Sequence, residues 1–130
     1  MKPESSVPRL DEAIGFHPSI RFVVTSRKDG TILDAVKRRG VNSLEPSSEM
    51  RTITERFAIA HGLSRASDSY FGATRAIIVL REKLVEMVFP MGDRLVIVSA
   101  TPSFPLGKVR DLEKLLRSLG RSQTSYLRPF

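Results

Sequence analysis

The sequence predicts an α+β fold, in which a five-stranded antiparallel sheet carries helices on both faces and the elements follow the order (α)ββαβββα. A tight turn joins two apolar runs within residues 20–36. A helical repeat over residues 48–61 follows, and three apolar runs then come in quick succession before a second helical repeat at residues 106–119. Because the links between those three runs are only three to five residues long, they permit only antiparallel neighbours.

The first two strands are predicted to form a β-hairpin. Its turn contains Asp29 and Gly30, a dipeptide that tolerates the positive φ angles of a tight turn. The flanking residues favour extended backbone: Val23, Val24, Thr25, Ile32 and Leu33. A short helix over residues 10–14 is predicted before the hairpin, and residues 1–9 are predicted to be a flexible leader.

The helix predicted over residues 48–61 has one apolar stripe at helical spacing, and Gly62 is predicted to end it. The stripe comprises Met50, Ile53, Phe57 and Ala60. Ile59 points the other way and, with Ala58 beside it and Leu63 just beyond, suggests that the outer face is not uniformly polar and can dock a partner helix. The alternative is a single exposed isoleucine on an ordinary surface. Residues 63–69 are predicted to be a polar connector.

The next three strands are predicted at residues 70–80, 84–89 and 95–100. The runs 76–80 and 95–98 are apolar at consecutive positions, which is typical of strands that are covered on both faces. Helices are therefore expected on both sides of at least part of the sheet.

The last helix is predicted over residues 106–119, with Gly120 at its end. Its buried stripe comprises Leu106, Val109, Leu112, Leu116 and Leu119. Residues 121–130 are predicted to be a mobile tail. With 130 residues in all, the chain has room for one domain, which is assigned to residues 10–120.

Basic residues exceed acidic ones, with 21 lysines and arginines against 14 aspartates and glutamates and a formal charge of +7. A polyanion such as nucleic acid is therefore one alternative partner. Lys37, Arg38 and Arg39 form a tight cluster and are the candidate anion- or partner-binding residues. A solvated charge run explains the same cluster, and an aromatic content of only 7% is low for a nucleic-acid-binding surface.

The sequence shows no pattern for catalysis, a metal or a cofactor. It has no cysteine, and its two histidines fall in different predicted elements. No glycine-rich phosphate loop or activated-serine motif occurs. The carboxylate pairs Glu82/Glu86 and Asp111/Glu113 are predicted to lie on the surface and form solvated ion pairs with neighbouring lysines and arginines. We therefore expect a protein that is not an enzyme and has no cofactor. The lack of a membrane-spanning run or secretion signal predicts a cytoplasmic location.

The order of elements resembles the roadblock/dynein-light-chain superfamily and its relatives, the longins and profilins. The resemblance covers about residues 18–119 and is carried by the hairpin VVTSRKDGTILDA, the helix at 48–61, the strands within 76–100 and the closing helix. More narrowly, IRFVVTSRKDGTIL followed by VNSLEP is similar to uncharacterised small archaeal roadblock-like proteins. A PAS-like ligand sensor is the competing fold, and it would hold a small molecule in an internal cavity.

The roadblock resemblance implies a non-catalytic dimeric module that scaffolds or regulates a small GTPase or another signalling complex. In such dimers the third strand extends the sheet across a two-fold axis while the central helices pack against each other. The resemblance therefore implies a homodimer interface at Ile59, Ala76, Ile78 and Leu80. An exposed edge strand this apolar invites pairing with another chain on physical grounds as well.

Overall fold

A computed structural model describes residues 10–42 and 48–127. The predicted leader at 1–9 and the last three residues of the predicted tail lie outside the described residues. The helices are α1 (Leu10–Ile14), α2 (Glu49–Ser64), α3 (Asp68–Phe71) and α4 (Val109–Leu127), and the strands are β1 (Ile20–Arg27), β2 (Ile32–Lys37), β3 (Ile77–Leu80), β4 (Val85–Met91) and β5 (Arg94–Ala100). Single turns of 3-10 helix, Arg65–Ser67 and Leu106–Lys108, precede α3 and α4.

The five strands form one antiparallel sheet in the order β2-β1-β5-β4-β3. The last strand in the sequence therefore lies at the centre, between the two hairpins β1–β2 and β3–β4. This architecture confirms the predicted five-stranded α+β fold. Strands β2 and β3 are the two free edges.

Two hydrophobic cores lie on opposite faces of the sheet. The α2-side core combines Ile53 and Phe57 of α2 with strand residues such as Phe22, Leu95 and Ile97. The α4-side core combines α1 and α4 with the other face of the strands; its members include Leu112, Leu116, Ile20, Met87 and Phe89. Central strands β4 and β5 are buried on both faces; for β5 the apolar run at residues 95–98 predicts this coverage.

A β-bulge in β1 places a charged side chain between the layers. The register between β1 and β5 shifts between Ile20 and Phe22, and Arg21 turns to the α2 side. Its guanidinium donates to Glu49 at 2.6 Å and 3.1 Å and to the hydroxyl of Ser99 at 2.8 Å. A further bond reaches the carbonyl oxygen of Asn42 at 3.2 Å. Both charged side chains are buried, so this ion pair joins the first turn of α2 to the sheet.

The hairpin turn forms as predicted. Gly30 has a φ of +95°, and Asp29 accepts a hydrogen bond from the backbone N–H of Thr31 at 2.9 Å. The turn also lies close to α2. A Cβ added at Gly30 would lie 3.5 Å from the Cβ of Ala58. The glycine therefore supplies the positive-φ conformation of the turn, whereas a Cβ at this position would make only an ordinary van der Waals contact with the helix.

The predicted boundary between the first long helix and the third strand is wrong. Helix α2 continues through Gly62 to Ser64, and the predicted connector is helical up to Phe71. The glycine with positive φ is Gly72, at +86°, so the helical stretch ends ten residues later than predicted. Strand β3 consequently starts at Ile77 rather than at Tyr70.

Two further expectations for helix and strand coverage are wrong. Helix α4 runs past Gly120 to Leu127, since that glycine does not adopt positive φ. At the other end, Leu106 lies before the helix begins and is exposed. Strand β3 is covered on one face only, because its alternate residues Ile78 and Leu80 are exposed. It is an edge strand.

Replacing Arg21 with methionine should destabilise the fold by about 3 kcal/mol or more, because Glu49 would keep its charge in a buried position without the arginine. Urea denaturation measures the loss. Arg27→Met, at the exposed end of the same strand, is the matched control and should stay within about 0.5 kcal/mol of the unsubstituted protein. A loss below about 1 kcal/mol for Arg21→Met would show that the pair does not hold α2 to the sheet.

Candidate interaction surface at the sheet edge

The two free edges of the sheet differ in their protection against pairing with another chain. Strand β2 carries the exposed Lys37, and its register with β1 is interrupted between Thr25 and Ser26. Strand β3 consists of Ile-Ile-Val-Leu and pairs with β4 in an unbroken register. Charges and bulges are the usual devices that block edge pairing. Of the two edges only β2 has them, so β3 is the edge that is open to a partner strand.

The hydrogen-bond pattern shows which backbone groups of β3 face outward. The N–H of Arg81 donates to the carbonyl oxygen of Leu84 at 2.8 Å, and the register continues with Leu80 opposite Val85. In an antiparallel pair, hydrogen-bonded and non-hydrogen-bonded positions alternate. The N–H and C=O groups of Ile78 and Leu80 therefore point away from β4, toward the free edge.

The predicted interface residues occupy two different layers. Ile78 and Leu80 are 40% and 62% exposed, and they pair with Met87 and Val85 of the α4-side core. Ala76 is half-buried against that same core. Ile59 is 66% exposed on the outer face of α2, on the other side of the sheet. The structure therefore brings Ile78 and Leu80 together at the edge but separates them from Ile59.

Sequence reasoning missed two exposed aromatic side chains that follow Ile59 and Leu63 along the chain. Leu63 is 73% exposed on α2, and Tyr70 and Phe71 of α3 are 82% and 85% exposed. The two aromatic rings lie 6.4 Å apart. Both aromatic residues fall within a predicted strand, because the helical stretch is predicted to end at Gly62. The apolar outer surface is thus larger than Ile59 with its neighbours Ala58 and Leu63, on which the prediction relies.

A buried carboxylate anchors an arginine at the end of β3. Glu86 of β4 is 1% exposed, and its carboxylate accepts hydrogen bonds from Arg81 and Arg56, each at 3.2 Å. Both arginine side chains remain about half exposed. The expectation that Glu86 forms a solvated surface pair is wrong, because its side chain lies under α2 within the sheet.

A second buried carboxylate anchors an arginine just before β3. Glu113 of α4 is buried and accepts two hydrogen bonds from Arg75, at 2.9 Å and 3.1 Å, and one from Arg117 at 3.0 Å. The predicted surface position of Glu113 is also wrong. Hydrogen bonding to Arg75 lowers the pKa of Glu113; burial opposes this shift, and Arg117 adds to it.

The basic cluster after β2 is partly used inside the protein. Arg38 donates to the carbonyl oxygens of Ile14, His17 and Ile20 at 2.5 Å, 2.9 Å and 2.6 Å, and so fastens the link between α1 and β1. Lys37 and Arg39 are exposed. Anion binding at this cluster stays a prediction that rests on these two side chains.

The histidines lie far apart in the fold. His17 contacts Ser19 at 2.8 Å between α1 and β1. His61 is a buried residue of α2, where burial, Lys28 and Arg65 lower its pKa.

Within residues 10–42 and 48–127 no cluster of three or more histidine or acidic side chains could hold a metal ion. No helix in that part of the chain is long and apolar enough to span a membrane.

Replacing Arg75 with glutamine should raise the pKa of Glu113 toward its ordinary value, because the largest cause of the lowered pKa is removed. An NMR titration of the Glu113 carboxyl carbon checks this, with Arg51→Gln on α2 as the control. The folded pKa lies below the unfolded value, so the stabilisation is present above about pH 4.3 and lost as pH falls through the folded pKa. The stability difference between the two proteins should therefore shrink in acid. An unchanged pKa would contradict the assigned cause.

Solved structures of known proteins resemble this fold. No protein-family model matches the sequence, and no curated protein matches it either. A roadblock/LC7 domain from Streptomyces avermitilis aligns with a TM-score of 0.70 and 15% identity, over 92% of this chain and 94% of that one. The gliding protein MglB from Thermus thermophilus aligns with a TM-score of 0.69 and 16% identity, over 88% and 87%. Profilin IA from Acanthamoeba castellanii aligns with a TM-score of 0.58 and 8% identity, over 92% and 99%. The chain therefore has the fold shared by roadblock/LC7 domains and profilins, as the order of its elements predicts.

Proposed function

We propose that this protein is a non-catalytic interaction module that pairs with a second copy of itself through the β3 edge and the outer face of α2. The observation that supports the proposal most directly is the unprotected edge. Strand β3 has only apolar side chains and two exposed ones, and its outward N–H and C=O groups have the arrangement that an added strand requires.

Pairing of two β3 strands would satisfy these backbone groups and bury Ile78 and Leu80 of both copies. A two-fold dimer is the commonest closed arrangement for such an edge. Ile59 and Leu63 on α2 would add apolar surface on the other side of the sheet, where the helices of two copies can meet. Ala76 supports the edge from within, since it packs against the α4-side core.

The further partner in this proposal is a small GTPase or another signalling protein. The fold is similar to that of MglB, one structure of which has a tetrameric arrangement, so assembly through this fold has a precedent. Tyr70 and Phe71 are the side chains that we assign to this second partner, because they are exposed on α3 just before the dimer edge begins. Catalysis has no part in the proposal.

Ile59→Asp should shift the protein toward monomer, because it places a charge on the apolar face of α2 that the dimer would bury. Light scattering at tens of micromolar concentration measures the change. We expect the dimer dissociation constant to rise about tenfold or more.

Leu106→Asp is the matched control, since Leu106 is also a large exposed apolar side chain but precedes α4 on the other face of the sheet. It should leave the mass unchanged. A monomer for the unsubstituted protein at this concentration would refute the homodimer, and a dimer that tolerates Ile59→Asp would exclude α2 from its interface.

A further inference from the structure

Positive charges stand at both ends of the β3 edge. Arg75 lies two residues before the strand, and Arg81 and Lys83 follow it. All three are exposed. The strand between them has no charged side chain, so a partner strand would meet an apolar centre with a cationic group at either end.

The two arginines are held in place before any partner arrives. Arg75 binds the buried carboxylate of Glu113 through both Nε and a terminal nitrogen, and Arg81 binds the buried Glu86 through Nε. Each carboxylate also binds a second arginine, Arg117 or Arg56. Two guanidinium groups thus share one carboxylate at each end, which leaves a net positive charge there. Fixed, exposed guanidinium groups lose little further side-chain entropy on binding an acidic group.

A second copy is poorly matched to this charge pattern. Two-fold antiparallel pairing brings the start of one β3 beside the end of the other. Arg75 of one copy then approaches Arg81 or Lys83 of the second copy, and Glu82 offsets only part of this repulsion. Like charges at neighbouring positions of paired strands are destabilising, and the formal charge of +7 on each chain adds to the effect at low ionic strength.

We infer that the preferred occupant of the β3 edge is an extended segment of a partner protein whose apolar centre is flanked on both sides by acidic residues. The inference rests on the proposed function in one respect, that β3 is the pairing edge. A homodimer formed through this edge is then the weaker state, which an acid-flanked strand displaces. Main-chain hydrogen bonds at Ile78 and Leu80 would hold the segment, and the arginines would select it.

The test uses the full chain and two synthetic octapeptides. Both have a valine–isoleucine centre; one is flanked on each side by a pair of glutamates and the other by a pair of lysines. Fluorescence anisotropy measures peptide binding, and analytical ultracentrifugation measures self-association across a salt series. We expect the glutamate peptide to bind about tenfold more tightly at low salt, with the preference shrinking as salt rises. Self-association should change in the opposite direction and strengthen with salt.

Two pairs of variants locate the binding. Ile78→Pro removes an outward N–H that β4 does not use, so it should abolish peptide binding, whereas Ile78→Ala keeps that N–H and should weaken binding less. Lys83→Glu should weaken binding of the glutamate peptide severalfold and strengthen the dimer. Lys28→Glu makes the same charge change at an exposed position in the β1–β2 turn, about 14 Å or more across the sheet from β3, and should change neither peptide binding nor self-association. Circular dichroism verifies that each variant is folded.

The outcomes separate this inference from the proposed homodimer. Equal binding of the two peptides, or a glutamate preference that survives Ile78→Pro, would overturn the inference and leave the homodimer standing. A homodimer whose dissociation constant falls as the salt concentration is lowered would also overturn the inference and leave the homodimer standing. A chain that stays monomeric at every salt concentration but binds the glutamate peptide would refute the homodimer and support the inference. A monomer that binds neither peptide would refute both.

Discussion

Ion pairs with buried carboxylates fasten α2 and α4 to the sheet, and the positions of the neighbouring elements depend on them. Arg21 in β1 holds Glu49 of α2, Arg56 of α2 holds Glu86 of β4, and Arg75 before β3 holds Glu113 of α4. In each pair the carboxylate is buried. A buried carboxylate that loses its cation is strongly unfavourable, so each of these contacts opposes displacement of α2 or α4 from the sheet. Burial of apolar side chains in the two hydrophobic cores supplies the main favourable free energy of folding.

The packing of α2 and α4 on the sheet explains why the candidate interaction surface lies at the β3 edge. Helix α2 packs over the central strands and contributes Arg56 toward β4, but it leaves its outer face uncovered. On the other face α4 packs against β4 and does not cover Ile78 and Leu80. A chain of this length has too little helix to cover five strands on both sides. Because β2 carries a lysine and has an irregular register with β1, β3 is the edge strand whose backbone is open to pairing with a partner.

The order of strands and helices could be predicted from the sequence because each has a strong local signal. Asp29 and Gly30 mark a turn, and the leucines of α4 repeat at helical spacing. The end of α2 could not be predicted, since Gly62 is a helix breaker by propensity but stays helical here, and the positive φ falls at Gly72. No local pattern marks Glu86 and Glu113 as buried. Their arginine partners Arg56 and Arg75 are 30 and 38 residues away along the chain, and only the folded topology brings them together.

The central position of β5 has a consequence for how the chain folds. The hairpins β1–β2 and β3–β4 can each form from neighbouring residues, but neither can join the other until β5 is available. Strand β5 pairs with a strand far back in the chain, since Ile20 lies opposite Ala100. Such long-range pairing is slow to form, because the loop-closure entropy is lost before the contacts stabilise the structure. During synthesis the β1–β2 hairpin therefore waits as a separate apolar ribbon until β5 leaves the ribosome, whereas β5 follows β4 after only two residues. Throughout that interval the edge of β1 that β5 later covers is exposed, so the nascent chain is at greater risk of aggregation than the finished protein.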